Sequence, residues 1–192
     1  MFPELIKIHR VIKSLIDINE LEWVDYSNRL RIKTYNKKEV LLQSGNICTD
    51  IFFVNKGLLR IYFINKDGDE ATFYFSQEND FAADYESFLK CKPSNYTIEA
   101  MEDSEVVLMS NKMVVNGFVN LKNGEKLGRL FAEKYFFIFS KKIQDIYTKT
   151  PHKRYLLMNK QFPGIRQRVS QHYIASYLNI SSVHLSRLIN KK

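Results

Sequence analysis

The sequence predicts an α+β protein in three parts. A β-rich N-terminal domain of sandwich, jelly-roll or barrel type comes first, then one long helix, then a C-terminal helix-turn-helix. Three observations carry this. Short apolar and aromatic runs with turn residues between them fill the region from about Leu30 to Ser110. A helical apolar period takes over near Asn123. The segment from Gln171 to Asn190 then has the register of two short helices joined by a tight turn. The parts are placed at 1–120, 121–149 and 150–192.

Residues 4–29 read as helical, because Leu5, Ile8, Val11, Ile12, Leu15 and Ile16 recur near a period of 3.6. The strand candidates are IFFV at 51–54, LLRIYFI at 58–64, ATFYF at 71–75 and EVVLMS at 105–110. Ser44-Gly45-Asn46, Lys56-Gly57 and Lys66-Asp67-Gly68-Asp69 supply the turns, and the Asp-Gly pair marks a hairpin. Along the long helix, Leu127, Leu130, Phe131, Phe136, Phe139, Ile143 and Ile146 fall mostly at steps of three and four. That stripe fits a helix packed on its own domain, or a dimer helix facing its symmetry mate. Thr150 and Pro151 suit the cap and first position of a helix over about 151–160, which Phe162-Pro163-Gly164 breaks.

Charge is uneven along the chain. Nine of the 29 Lys and Arg residues lie from Lys149 onward, and that stretch holds no Asp or Glu. The first 148 residues carry 20 basic and 21 acidic residues. A neutral domain followed by a basic, acid-free one is the electrostatic pattern of a nucleic-acid-binding attachment. No apolar run reaches membrane-spanning length, and MFPELIKIHRVIKSLI lacks the apolar core of a signal peptide, so a cytoplasmic protein with no membrane partner is expected. Cys48 and Cys91 make no metal pattern, and His9 is the only histidine before residue 150. No metal, iron–sulfur or haem site is expected. No Gly-rich phosphate loop, HExxH or GxSxG is present. Asp84, Glu86 and Glu99 have no histidine or activated nucleophile nearby in sequence, so no catalytic residues and no enzyme are expected.

The functional signal is QHYIASYLNISSVHLSRLINKK. Counted from Gln171, the fourth, eighth, tenth, fifteenth and eighteenth positions are Ile174, Leu178, Ile180, Leu185 and Leu188. These are the positions at which two short helices bury side chains against each other. Ala175 is small where the helices approach. Asn179 stands in the turn, where a left-handed residue is needed. Ser181 is placed to cap the second helix. Such a helix enters the major groove, so Ser182, Val183, His184 and Arg187 are the candidate base readers. Arg187 matches guanine O6 and N7, and Val183 a thymine methyl. Ser170, Gln171, His172 and Ser181 suit phosphates, while Arg166, Arg168, Lys191 and Lys192 would add salt-dependent affinity.

Taken in order, these segments resemble the Crp/Fnr superfamily of transcription regulators. The resemblance rests on IFFVNKGLLRIYFINKDGDEATFYF with Gly57 and Gly68 in turns, on DYESFLKCKPSNYTIEAMEDSEVVLMS, and on RYLLMNKQFPGIRQRVSQHYIASYLNISSVHLSRLINKK. It implies a double-stranded β-helix (jelly roll) of cyclic-nucleotide-binding type, a long dimerisation helix and a winged helix-turn-helix. It also implies a homodimer whose partners are double-stranded DNA and RNA polymerase. Departures refine the picture. Members that bind cyclic AMP carry Gly-Glu after the position of Phe81, where this chain has Ala82-Ala83. Their phosphate-binding Arg follows the position of Pro93, where this chain has Ser94. Only Lys90 or Lys92 could replace that cation. The effector pocket, expected around Phe81, Ala82, Ala83, Lys92, Ser94 and Asn95, is thus degenerate, and cyclic AMP binding is expected to be weak or absent. No wing is expected after the second helix, so any wing must come from 161–170. The competing reading is an effector-binding module whose C-terminal helices make protein contacts.

Overall fold

The computed structural model describes residues 3–190. A short 3-10 turn at Pro3–Leu5 leads into α1 (Ile6–Leu15), and α2 follows at Glu20–Ser27. The expected continuous N-terminal helix is therefore broken at residues 16–19. Asn19 causes the restart. Its side chain accepts from the Glu22 amide at 2.9 Å, while Glu22 accepts from the Asn19 amide at 3.1 Å, a reciprocal capping box.

Eight strands follow: β1 (Arg31–Tyr35), β2 (Val40–Leu42), β3 (Asp50–Lys56), β4 (Leu59–Ile64), β5 (Glu70–Ser76), β6 (Phe81–Ala82), β7 (Thr97–Ala100) and β8 (Ser104–Ser110), with the short helix α3 at Tyr85–Lys90. They form two four-stranded antiparallel sheets, ordered β1-β8-β3-β6 and β2-β7-β4-β5. Buried Phe53, Phe75, Leu58, Leu59, Ile98, Val106 and Val107 belong to the core of this roll. The β4–β5 hairpin turns at Asp67-Gly68 as expected. The Asn65 side chain accepts from the Asp67 and Asp69 amides, and Gly68 takes a φ of +86°. Gly57 is needed for space as well as conformation. Its φ is +101°, and a Cβ there would meet Ser104 Oγ at 2.2 Å.

Two helices lead out of the roll. The first, α4 (Asn111–Asn120), has Ser110 as its N-cap. The long helix α5 runs Gly124–Thr148. They cross closely, because a Cβ on Gly124 would meet the Gly117 carbonyl oxygen at 2.0 Å. The chain ends in α6 (Pro151–Gln161), α7 (Ile165–Arg168), α8 (Gln171–Tyr177) and α9 (Ser182–Asn190). Thr150 caps α6 with Pro151 in its first turn, as the sequence suggested. The stretch in which a wing was sought, 161–170, is a Pro163-Gly164 turn and the helix α7. Among the described residues it forms no β-hairpin wing.

Candidate DNA-binding surface and effector cavity

In the C-terminal helical pair, Ile174, Ala175, Leu178 and Leu185 are buried, and Ile180 and Leu188 are half-buried. Asn179 has a φ of +53°, the left-handed turn its position called for. The Ile180 amide donates to the Ala175 carbonyl, and the His184 amide to Ser181 Oγ at 3.1 Å, which caps α9. One side of α9 is thus pinned inward by Leu185. Ser182, Val183, His184 and Arg187 remain exposed, as do Ser170, Gln171, His172 and Ser181 next to the helix starts. Val183 is 60% exposed, high for a β-branched apolar residue in a helix. Lys191 and Lys192 lie outside the described residues.

Arg168 departs from the sequence reading. It was expected to add salt-dependent affinity for DNA, but its guanidinium is engaged with the roll. Nη1 and Nη2 reach the two Glu78 oxygens at 2.9 Å each, and Nε and Nη2 reach Glu102 at 3.2 and 2.6 Å. Two carboxylates match one planar fork, and they raise the already high pKa of the guanidinium further. Arg166 stays exposed.

That ion pair is one of several contacts that seat the C-terminal helices on the roll. Ser176 Oγ accepts from the Thr72 amide and donates to the Glu70 carbonyl, each at 2.8 Å. These backbone groups lie on β5, an outer strand of its sheet, so α8 covers an edge that would otherwise expose them. Tyr173 stacks on the buried Arg60 guanidinium at 4.1 Å, and its hydroxyl is 2.5 Å from Lys38 Nζ. Phe162 lodges among the rings of Tyr74, Phe75 and Tyr177.

Lys142 of α5 closes the seam. β5 carries an irregularity opposite Ile61 and Tyr62 that leaves Phe73 out of register. The Lys142 ammonium donates to the Phe73 carbonyl and, at 3.4 Å, to that of Thr72, and it sits 3.9 Å over the Tyr177 ring. Burial lowers its pKa to about 7. The folded chain therefore sheds this proton near pH 7, whereas the unfolded chain keeps it to about pH 10. Unfolding takes up a proton across that window, so stability rises with pH there and the penalty is fully felt below it. Urea unfolding of Lys142→Met from pH 7 to 10 should show a flatter rise than the parent protein. Parallel profiles would contradict this account of Lys142.

The six expected pocket residues separate into two groups. Phe81, Ala82 and Ala83 line a cavity of about 290 Å³ between the roll and helices α4 and α5. Lys92, Ser94 and Asn95 do not line it. Lys92 and Asn95 are exposed, and Ser94 is buried with its hydroxyl donating to Asp84 at 2.8 Å. Asp84 in turn accepts from the Ser87 amide at the start of α3. An internal carboxylate thus occupies the anion-favouring end of this short helix. Lys90 pairs with Glu86 at the surface, away from the cavity. The sequence reading did not single out Asp84 for this role, and neither spacing nor composition signals it.

Comparison with known proteins adds to this geometry. Residues 32–120 match the family model of the cyclic nucleotide-binding domain. The roll, the long helix and the helix-turn-helix together have the fold of Crp/Fnr-type regulators. The structure of FixK2 from Bradyrhizobium japonicum aligns with a TM-score of 0.71 at 18% identity, covering 84% of this chain and 83% of that one. A crp/fnr-family protein from Eubacterium rectale gives 0.72 at 18% identity, covering 90% and 82%. CLP of Xanthomonas campestris, a c-di-GMP responsive global regulator, gives 0.68 at 12% identity, covering 90% and 91%. No curated protein sequence matches. Residues 32–120 are thus similar to a cyclic nucleotide-binding domain, the chain has the fold of these Crp/Fnr structures, and the fold expected from the sequence is borne out. Among the described residues, no helix is long and apolar enough to cross a membrane.

Proposed function

We propose that the protein is a sequence-specific, DNA-binding transcription regulator that acts in the cytoplasm as a homodimer and does not respond to cyclic AMP. The observation that carries this is α9. Its one fully buried side chain, Leu185, fixes the helix so that Ser182, Val183, His184 and Arg187 project outward. The surrounding stretch from Lys149 onward is basic and free of acids. The dimer reading is supported by α5. Leu127, Phe131, Tyr135 and Phe139 turn toward the roll, whereas Phe136, Ile143 and Tyr147, on the adjoining flank of the helix, are 67%, 56% and 85% exposed. A second copy would cover them. Two recognition helices related by a two-fold then read half-sites one turn apart, roughly 34 Å. The cyclic AMP reading is supported by Ser94 and Asp84, which put a hydroxyl and an anion where a phosphate would need a cation. RNA polymerase is the further partner expected of such a regulator.

Once a preferred duplex has been selected, Arg187→Ala should weaken it by about 1–3 kcal/mol and blur one base position. Competition between the selected duplex and single-base variants measures this. An unchanged preference would remove Arg187 as a reader. If the C-terminal helices served protein contacts instead, no duplex would be preferred over another.

A further inference from the structure

From the carboxylates that surround Arg168, we infer that Glu78 and Glu102 act as an internal stand-in for a DNA phosphate. They hold the Arg168 guanidinium in reserve, and a backbone phosphate of bound DNA competes with them for it. The inference rests on the DNA-binding reading. It adds to that reading a phosphate contact that the chain itself keeps occupied until DNA arrives.

The geometry is that of oxyanion recognition. A guanidinium offers five N–H donors in one plane. Arg168 spends four of them, one on each carboxylate oxygen of Glu78 and Glu102. The same fork suits carboxylate and phosphate alike, so a guanidinium filled by one is closed to the other. The roll brings the two acids together. Glu78 lies in the turn between β5 and β6, and Glu102 in the turn between β7 and β8. Arg168 is the last residue of α7 and stands two before Ser170, within about 7 Å along the chain of a residue suited to phosphate. Three observations favour an exchangeable contact over a fixed structural one. The side chains of Arg168, Glu78 and Glu102 keep 20%, 33% and 35% of their surface open to water, unlike the sealed Arg60. An ion pair in contact with water is weakly stabilising, so a new partner readily offsets its opening. Ile165 and Val169 are buried at the two ends of α7, so the backbone is fixed and the side chain alone has to swing. Glu78 also accepts from the Gly57 amide at 2.9 Å, so its carboxylate keeps a donor when Arg168 leaves.

The test measures binding of the full chain to a mixed-sequence DNA duplex across a salt series. Glu78→Gln combined with Glu102→Gln removes both charges and leaves an oxygen for the Gly57 amide. This variant should bind roughly threefold or more tightly at low salt, with a log–log salt slope steeper by about 0.9 per chain, the signature of one added phosphate contact. Adding Arg168→Ala to it should abolish the gain. Asp103→Asn removes an exposed neighbouring carboxylate that bonds the Lys37 amide and not Arg168, and should stay near the parent. Glu102→Gln alone, with an intermediate gain, guards against the double variant failing to fold, and thermal midpoints report on folding. A folded double variant with the parent's affinity and slope overturns the inference. So does a gain that survives Arg168→Ala, or one that Asp103→Asn matches, since either would be plain loss of repulsion. If neither parent nor variants bind any duplex, the regulator reading falls and the inference with it. If the parent binds and the variants gain nothing, the inference alone falls.

Discussion

Replacing Arg60 with methionine should destabilise the protein by about 3–5 kcal/mol, the scale for removing one member of a buried ion pair. Arg60 is fully buried on β4. Its guanidinium pairs with Glu70 and, at 3.4 Å, with the buried Glu99, and it stacks on the rings of Tyr62 and Tyr173 at 4.0 and 4.1 Å. Without it, Glu99 keeps only the Lys38 ammonium, 2.7 Å away and half-exposed. The cost comes mainly from stranding a carboxylate out of water, not from the loss of an especially favourable attraction. Arg60→Met combined with Glu99→Leu should therefore recover much of the loss, since both charges are then gone. Urea unfolding followed by circular dichroism reads both values. A single variant within 1 kcal/mol of the parent, or a double variant worse than the single one by the full cost of Glu99, would show that this network does not hold the roll. Tyr173 also loses its stacking partner, so proteolysis near α8 should quicken in the single variant.

Leu185→Ala should cost about 2–5 kcal/mol, the range for truncating a buried leucine to alanine. Leu185 has no exposed surface and is the one fully buried residue of α9, which packs against α8. The C-terminal helices meet the roll through α8 more than through α9, so the loss should fall on α9 first. Hydrogen exchange should find α9 amides exchanging faster, with β3 and β8 little changed. DNA affinity should fall for every sequence alike, in contrast to Arg187→Ala, which alters preference. Equal loosening of roll and helix would mean that the chain unfolds as one unit.

How much of this was legible follows from which residues carry a local signal. The helix-turn-helix could be read because its apolar spacing, its small Ala175 and its left-handed Asn179 are all local requirements. The strands β3, β4, β5 and β8 were legible from dense apolar and aromatic runs, several of them buried on both faces. β1 was not, because RIKTY exposes four of its five residues. The break between α1 and α2 was hidden by Ile16 and Ile18, which continue the apolar pattern, although Asn19 and Glu22 carried the capping signal. The site was legible to the same extent. The outward residues of α9 follow from helix geometry. The use of Arg168 does not, since Glu78 and Glu102 are remote in sequence and sign of charge alone does not name a partner. Lys142, Ser176 and Asp84 act through backbone groups that only the assembled roll presents.

The most direct test of DNA recognition is selection of bound duplexes from a randomised pool by the purified full-length protein, at moderate salt and again at high salt. The account predicts enrichment of an inverted repeat with half-sites about one helical turn apart, and an affinity that falls steeply with salt. A pool that stays random after repeated rounds, with weak binding indifferent to sequence, would contradict it.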